Sequence, residues 1–211
     1  LEREDFFNRR PGMIGERNFS QYAVLVVMVE TEEGPAFLFE KRAATLNRQP
    51  GEICFPGGRL ENGETPMAAA IRETIEELLV DREQIEILGP GDLFISPFNF
   101  IIHPFIAILR DYQYSFGREE VSAVFTAPVH YFQEHKPKKY LNLLSHEQPN
   151  DFPYECIPGG KNYPWFKGTY EINFYTYHGD VIWGMTAGIV ESAVELIQRY
   201  HLLEGIYRKI D

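Results

Sequence analysis

Arg72, Glu73, Glu76 and Glu77 crowd one cation and three carboxylates into a short run. If that run is helical, the i, i+3 and i+4 steps set the carboxylates side by side. Like charges so placed repel, and a hard divalent cation offsets the cost, because Mg2+ takes carboxylate oxygens and keeps waters that can bridge to a phosphate. The run is therefore a candidate metal platform. The alternative is the solvated outer face of an amphipathic helix, the commoner reading of an acidic run taken by itself. The segment ahead of it shifts the balance. Phe55-Pro56-Gly57-Gly58-Arg59-Leu60-Glu61-Asn62-Gly63-Glu64 is rich in glycine, which lets amides and carbonyls approach a metal or phosphate closely just where a helix begins. Loop and acidic run read as one site.

The element that must carry these side chains is a helix over residues 68–79. At about 100° per residue, Met67, Ile71, Thr74, Ile75 and Leu78 fall on one side and pack on the core, while Arg72, Glu73, Glu76 and Glu77 occupy the other arc. Glu64-Thr65-Pro66 marks its entry, a capping hydroxyl before a first-turn proline. A second helix is predicted over 186–200, where Ile189, Val190, Ala193, Val194 and Ile197 recur at helical spacing. Residues 22–29, 36–39, 101–109, 170–177 and 181–183 are rich in β-branched or aromatic types and read as strands, with Glu33-Gly34-Pro35 as a turn. No repeat or linker divides the chain. The expectation is a single domain over 1–211, a layered fold of mixed strands flanked by at least two helices.

At 211 residues and 44% hydrophobic content the chain can bury a sizeable core. Its formal charge of -11 argues against nucleic acid or anionic lipid as partners, since both need clustered Lys and Arg. An anionic substrate then needs local counter-charge, and Lys41, Arg42 and Arg48 supply it just ahead of the acidic site; ordinary solvated cations are the alternative for each. Cys54 and Cys156 form no C-x-x-C pair and read as two buried thiols. His103, beside Pro104 in an apolar run, reads as structural. The longest apolar run, 22–29, is far short of the roughly 20 residues that span a bilayer, so a soluble, cytoplasmic protein is expected. The sequence opens at Leu1 rather than Met, which leaves the natural start open, and its last four residues are no S-K-L address.

Residues 58–80, GRLENGETPMAAAIRETIEELLV, resemble the Nudix box, G-x5-E-x7-R-E-U-x-E-E-x-G-U with U aliphatic. Gly58, Glu64, Arg72, Glu73, Glu76, Glu77 and Val80 fall in register. Thr74 stands where an aliphatic is usual and Leu79 where the pattern has glycine, which implies a different helix exit. The resemblance implies an α/β fold, a Nudix-type α/β/α sandwich with a mixed sheet and the box as loop-helix-loop, with Mg2+ or Mn2+ held by Glu73, Glu76, Glu77 and the backbone carbonyl of Gly58. It further implies a Glu64–Arg72 ion pair steadying the loop.

Residues 38–58, LFEKRAATLNRQPGEICFPGG, are similar to the second signature of the coenzyme A diphosphatase branch, L-L-T-x-R-[SA]-x3-R-x3-G-x3-F-P-G-G. Leu38, Arg42, Ala43, Gly51, Phe55, Pro56, Gly57 and Gly58 match; Phe39 and Glu40 replace Leu-Thr, and Asn47 takes the second arginine position with Arg48 beside it. Gly117-Arg118-Glu119-Glu120-Val121 and Ile182-Trp183-Gly184-Met185-Thr186-Ala187 also resemble that branch. The implied reaction is metal-dependent hydrolysis of the diphosphate of a small CoA-like molecule to 4'-phosphopantetheine and adenosine 3',5'-bisphosphate. Glu120, its neighbour Glu119 and Glu73 are the candidate general bases, with a solvated loop charge as the other reading of Glu120. Hydrolysis of ADP-ribose, NADH or nucleoside triphosphates is the alternative within enzymes, and a nucleotide sensor without turnover the alternative outside them. Residues 142–170 read as an insertion. Core packing is the first reading of its Tyr163, Trp165 and Phe166, and a part in the pocket or a homodimer contact the second.

Overall fold

A computed structural model describes residues 6–9 and 11–204; Leu1 and residues 208–211, considered above as chain ends, lie outside the described residues. The strands are β1 (Ser20–Thr31), β2 (Gly34–Arg42), β3 (Ile53–Cys54), β4 (Gly57–Arg59), β5 (Ile85–Pro90), β6 (Phe94–Ser96), β7 (Phe100–Leu109), β8 (Val121–Pro128), β9 (Lys138–Leu144), β10 (Gly168–Tyr177) and β11 (Asp180–Trp183). The helices are α1 (Pro66–Leu78), α2 (Val129–Glu134) and α3 (Gly184–Arg199). Strands β1 to β8 form one sheet with the central order β3-β2-β1-β7-β5; β4 pairs with β1, β6 with β7 and β8 with β2. It is mixed, because β1 and β7 run parallel while their other neighbours are antiparallel. Strands β9 to β11 make a second, antiparallel sheet.

Alternation along the strands divides the interior in two. One apolar cluster lies between the large sheet and α2 with α3, and takes Phe37, Phe39, Phe55, Phe132, Ile182 and Val190. The other lies under α1 and takes Leu25, Val27, Leu38, Ala69, Ala70 and Leu78. The result is the expected α/β/α arrangement. Among the described residues no helix is long and apolar enough to cross a membrane.

Helix α1 starts as its sequence dictates. The Thr65 hydroxyl accepts the amide of Ala68 at 3.3 Å, and Pro66 follows in the first turn. Its exit corrects the sequence reading: Leu79 takes the left-handed conformation, φ 52° and ψ 49°, the same exit a glycine would provide. The buried Thr74 replaces an aliphatic at no polar cost, because its hydroxyl donates to the Ala70 carbonyl at 2.7 Å. Two further readings are corrected. Cys156 is exposed and Cys54 only partly buried. Tyr163, Trp165 and Phe166 belong to neither core; Phe166 is exposed, and Trp165 packs with Tyr163, Phe152 and His146 in a surface aromatic group.

Candidate active site

The acidic helix and the loop before it meet at β4. Gly57 runs so close to β1 that a Cβ on it would collide with the Ala23 carbonyl, and its φ is 152°. A Cβ on Gly58 would collide with the Glu73 carboxylate. Glycine is therefore required at Gly57, where β1 backbone leaves no room for a side chain, while at Gly58 the neighbour is the tip of the Glu73 side chain, held close against this backbone. The Gly57 amide donates to Glu77 Oε2 at 2.8 Å.

That hydrogen bond explains an error of the helical wheel, which set Glu77 on the outer arc. Glu77 is buried, while Met67, assigned to the core side, is exposed. Burial first, and then the negative charge of Glu40, push the Glu77 carboxyl well above its ordinary range, against the stabilising Gly57 amide. Glu73 is half-buried and is also raised, by desolvation first, with Arg72 opposing. Glu76 is 60% exposed and turned toward Arg72 at 3.5 Å.

Arg72 ties the box together. Its Nε and Nη2 each donate to one oxygen of Glu64 at 3.1 Å, and Nη1 donates to Glu73 at 2.9 Å. Nη2 also donates to the Arg59 carbonyl at 3.3 Å, and Glu64 accepts the Glu61 amide at 3.0 Å. The two-pronged pair holds Glu64 below the usual carboxylate range, chiefly through the Arg72 hydrogen bonds, and so fixes the loop on the helix. The far end of α1 is fixed too. The Glu77 carbonyl accepts the Gly117 amide at 2.8 Å and the Leu78 carbonyl accepts the Ser115 hydroxyl at 2.8 Å, so the loop bearing Glu119 and Glu120 is sewn to the acidic helix.

A cavity of about 650 Å³ opens over this region. Its lining carries Glu73, Glu77, Gly57, Gly58, Glu120 and the arginines 42, 48 and 59, together with the apolar Tyr22, Val24, Phe55, Phe100, Ile102, Met185 and Ile189. Of the residues singled out from sequence, the cavity gathers Gly58, Arg42, Arg48, Glu73, Glu77 and Glu120. It does not gather Lys41, Glu119 or Glu76; Lys41 and Glu119 are exposed, and Glu76 borders a shallow groove with Glu64 and Arg72. Arg48 lines the cavity, whereas Asn47, at the second arginine position of the signature, does not. His103 is outside the cavity and pairs with Gln21 at 2.7 Å. Arg59 and the apolar lining were missed. Arg59 falls on an unrestricted position of the box, Tyr22 and Ile102 read only as strand residues, and Phe100 lies one residue ahead of the strand read over 101–109.

The donor set suits a hard divalent ion. It is all oxygen, from carboxylates that repel one another, with the Gly58 backbone close beside one of them. Among the described residues, no three His, Cys, Asp or Glu side chains are grouped closely enough to grip an ion as they stand. Glu73 and Glu77 already face the cavity, and bringing in Glu76 requires it to leave its long contact with Arg72.

Known proteins supply an independent comparison. A NUDIX domain model matches residues 20–141. The chain is 32% identical over 199 residues to the "Uncharacterized Nudix hydrolase NudL" of Enterobacter sp. (strain 638), covering 91% of this chain and 93% of that protein. It is 33% identical over 128 residues to Nudix hydrolase 3 of Caenorhabditis elegans, covering 58% and 53%. The crystal structure of a MutT/nudix family protein from Enterococcus faecalis superposes with a TM-score of 0.53 at 16% identity, over 94% of this chain and 70% of that one, a likeness of fold.

Proposed function

Since the chain belongs to the Nudix family and is a Nudix hydrolase, we propose that its nucleoside diphosphate-linked substrate is coenzyme A or a derivative. The products would be 4'-phosphopantetheine and adenosine 3',5'-bisphosphate. The observation that carries this reading is the composition of one cavity: three arginines and carboxylates in the same lining as hydrocarbon side chains and aromatic rings. Coenzyme A presents the matching chemistry, a diphosphate and a ribose phosphate joined to a long, uncharged arm. The similarity of residues 38–58 to the coenzyme A diphosphatase signature supports the same substrate. Work in the cytoplasm is part of the reading, and action apart from nucleic acid is supported by the acidic charge balance.

Nudix hydrolases generally use divalent ions. Here Glu73, Glu77 and the Gly58 carbonyl would hold Mg2+ or Mn2+, with Glu76 joining from the helix surface. The bound ion would supply charge neutralisation at phosphate and a more acidic water. Arg42 and Arg48 lie on a loop closed by the Arg42 amide on the Glu52 carbonyl at 2.9 Å and the Gly51 amide on the Arg42 carbonyl at 3.1 Å. With Arg59, they would orient phosphate oxygens by charge-assisted hydrogen bonds. Glu120 would accept the proton of the attacking water. It faces the cavity, and its own carbonyl accepts the Ala43 amide at 2.8 Å, so the base is anchored to the loop that follows Arg42. The apolar lining would exclude bulk water from the leaving group.

Incubation with Mg2+ or Mn2+ and a panel of CoA, acetyl-CoA, ADP-ribose, NADH and dNTPs, with product identification, tests the reading. Release of 4'-phosphopantetheine from CoA at the highest kcat/KM is the expected result. Faster turnover of ADP-ribose, NADH or dNTPs would replace the substrate, and saturable binding without products would replace the activity.

A further inference from the structure

Strand β2 buries a carboxylate that neither the acidic helix nor its loop contains. Glu40 is 1% exposed and is flanked by β3 and β8, its cross-strand partners being Cys54 and Val124. Alternation along β2 sends Phe37 and Phe39 into the cluster under α3 and Leu38 into the cluster under α1. Glu40 shares the face of Leu38, as does Val124 opposite it, so its side chain lies on the α1 side of the sheet.

One of its oxygens is satisfied. The Cys54 thiol donates to Oε1 at 3.2 Å. The other, Oε2, is without solvent and without a hydrogen-bond partner. A buried, unpaired carboxylate oxygen is costly, and such an atom marks a place where an ion or an ordered water completes the structure. The groups around it favour the ion. Glu73, Glu77 and Glu120 all act on Glu40 as like charges, and Arg42 is the cation that opposes them. The signature that residues 38–58 resemble has threonine here, so this negative charge is a departure from that pattern.

We propose that Glu40 joins Glu73 and Glu77 in holding the divalent cation, contributing the oxygen that otherwise has no partner; the three carboxylates are not grouped closely enough to grip an ion as they stand, so binding would draw them together. The cation is then gripped by the sheet as well as by the helix, and Glu76 can stay with Arg72. The inference rests on the reading of Glu73 and Glu77 as metal ligands and adds a group from outside the box. The competing account is a proton shared among the buried carboxylates, which needs no metal.

Mn2+ titration followed by electron paramagnetic resonance, on the wild type and on Glu40→Gln, Glu40→Thr and Glu77→Gln, separates the two. Melting in EDTA and in Mn2+ accompanies each titration. Both Glu40 variants should bind Mn2+ about 10- to 100-fold more weakly and gain less melting temperature from it, while melting in EDTA at or above the wild type because a buried carboxyl with an unpartnered oxygen has gone. Wild-type Mn2+ affinity in both Glu40 variants, with loss confined to Glu77→Gln, would overturn the role of Glu40 and leave the box reading intact. Retention of affinity in Glu77→Gln as well would remove the box reading and this inference with it.

Discussion

The two faces of the large sheet use the same strands to opposite ends. Phe37 and Phe39 of β2 enter an aromatic cluster where Phe39 stacks on Phe55 at 4.8 Å and Phe37 meets Phe132 at 5.6 Å. Leu38 and Glu40, alternating with them, face α1, where Ala69 and Ala70 bring the helix close and Glu77 is drawn inward. The α3 face stores stability in hydrocarbon and ring contacts. The α1 face gives some of it up by burying carboxylates that repel. One strand therefore joins a scaffold to a site, and the period of two residues is what lets it do both.

Substitutions on the two faces should separate stability from turnover. Phe39→Ala leaves a large cavity among rings and should cost about 3–5 kcal/mol of stability, read as a lower denaturation midpoint, with kcat per folded molecule little changed. Glu77→Gln should do the reverse. Its kcat should fall at least about 100-fold while its melting temperature in EDTA does not drop. A destabilised Glu77→Gln with normal turnover would erase the distinction between the faces.

The faces should also differ in pH dependence. On the α1 face, Glu40 and Glu77 are both raised by burial and mutual repulsion. Between the ordinary carboxylate value of about 4.5 and neutrality the unfolded chain has lost these protons and the folded chain keeps them. Metal-free stability should therefore fall as pH rises through that window, by on the order of 1 kcal/mol or more, and Glu77→Gln should flatten the fall. On the α3 face the buried titratable group is Tyr175, raised by burial first and by nearby Glu191 next. Its contribution should hold until the unfolded tyrosine ionises near pH 10 and decline above that. Equilibrium denaturation in EDTA across the pH range reads both limbs.

How far the sequence reached depends on which force decided each residue. Local rules placed α1 and its Thr65 cap, the helix of Ile189 to Ile197, and strands β1, β2, β7, β10 and β11, because capping and periodicity act over a few residues, whereas the shorter or less apolar β3 to β6, β8 and β9 carried too little pattern to be read. Fixed spacing in the box paired Glu64 with Arg72. Tertiary forces decided the remainder. A wheel ranks Glu77 by its charge, yet the Gly57 amide from β4 turns it inward. Glu40 read as a mere departure from a pattern, since its burial comes from β3 and β8 closing on either side. Arg59 and Phe100 reach the cavity only through strand register. Trp165 and Phe166 had the composition of a core but lie beyond both layers, where Trp165 meets the rings of Phe152, Tyr163 and His146 and Phe166 is exposed.

The smallest effect concerns the edge of the site, where the α1 face again sets geometry above stability. Leu79 ends the acidic helix with φ at 52°, a conformation that costs a residue with a Cβ about 1–2 kcal/mol. Its side chain is 60% exposed, so little burial repays that strain. Leu79→Gly relieves the strain and gives back part of the gain through the more flexible unfolded chain. A net stabilisation of roughly 0.5–1 kcal/mol should follow, a rise of about 1–4 °C in melting temperature. Turnover should stay the same, because the carbonyls of Glu77 and Leu78 keep their partners in the Gly117 and Ser115 loop. A lower melting temperature would mean that the leucine side chain, and not the backbone turn, holds this end of the helix in place.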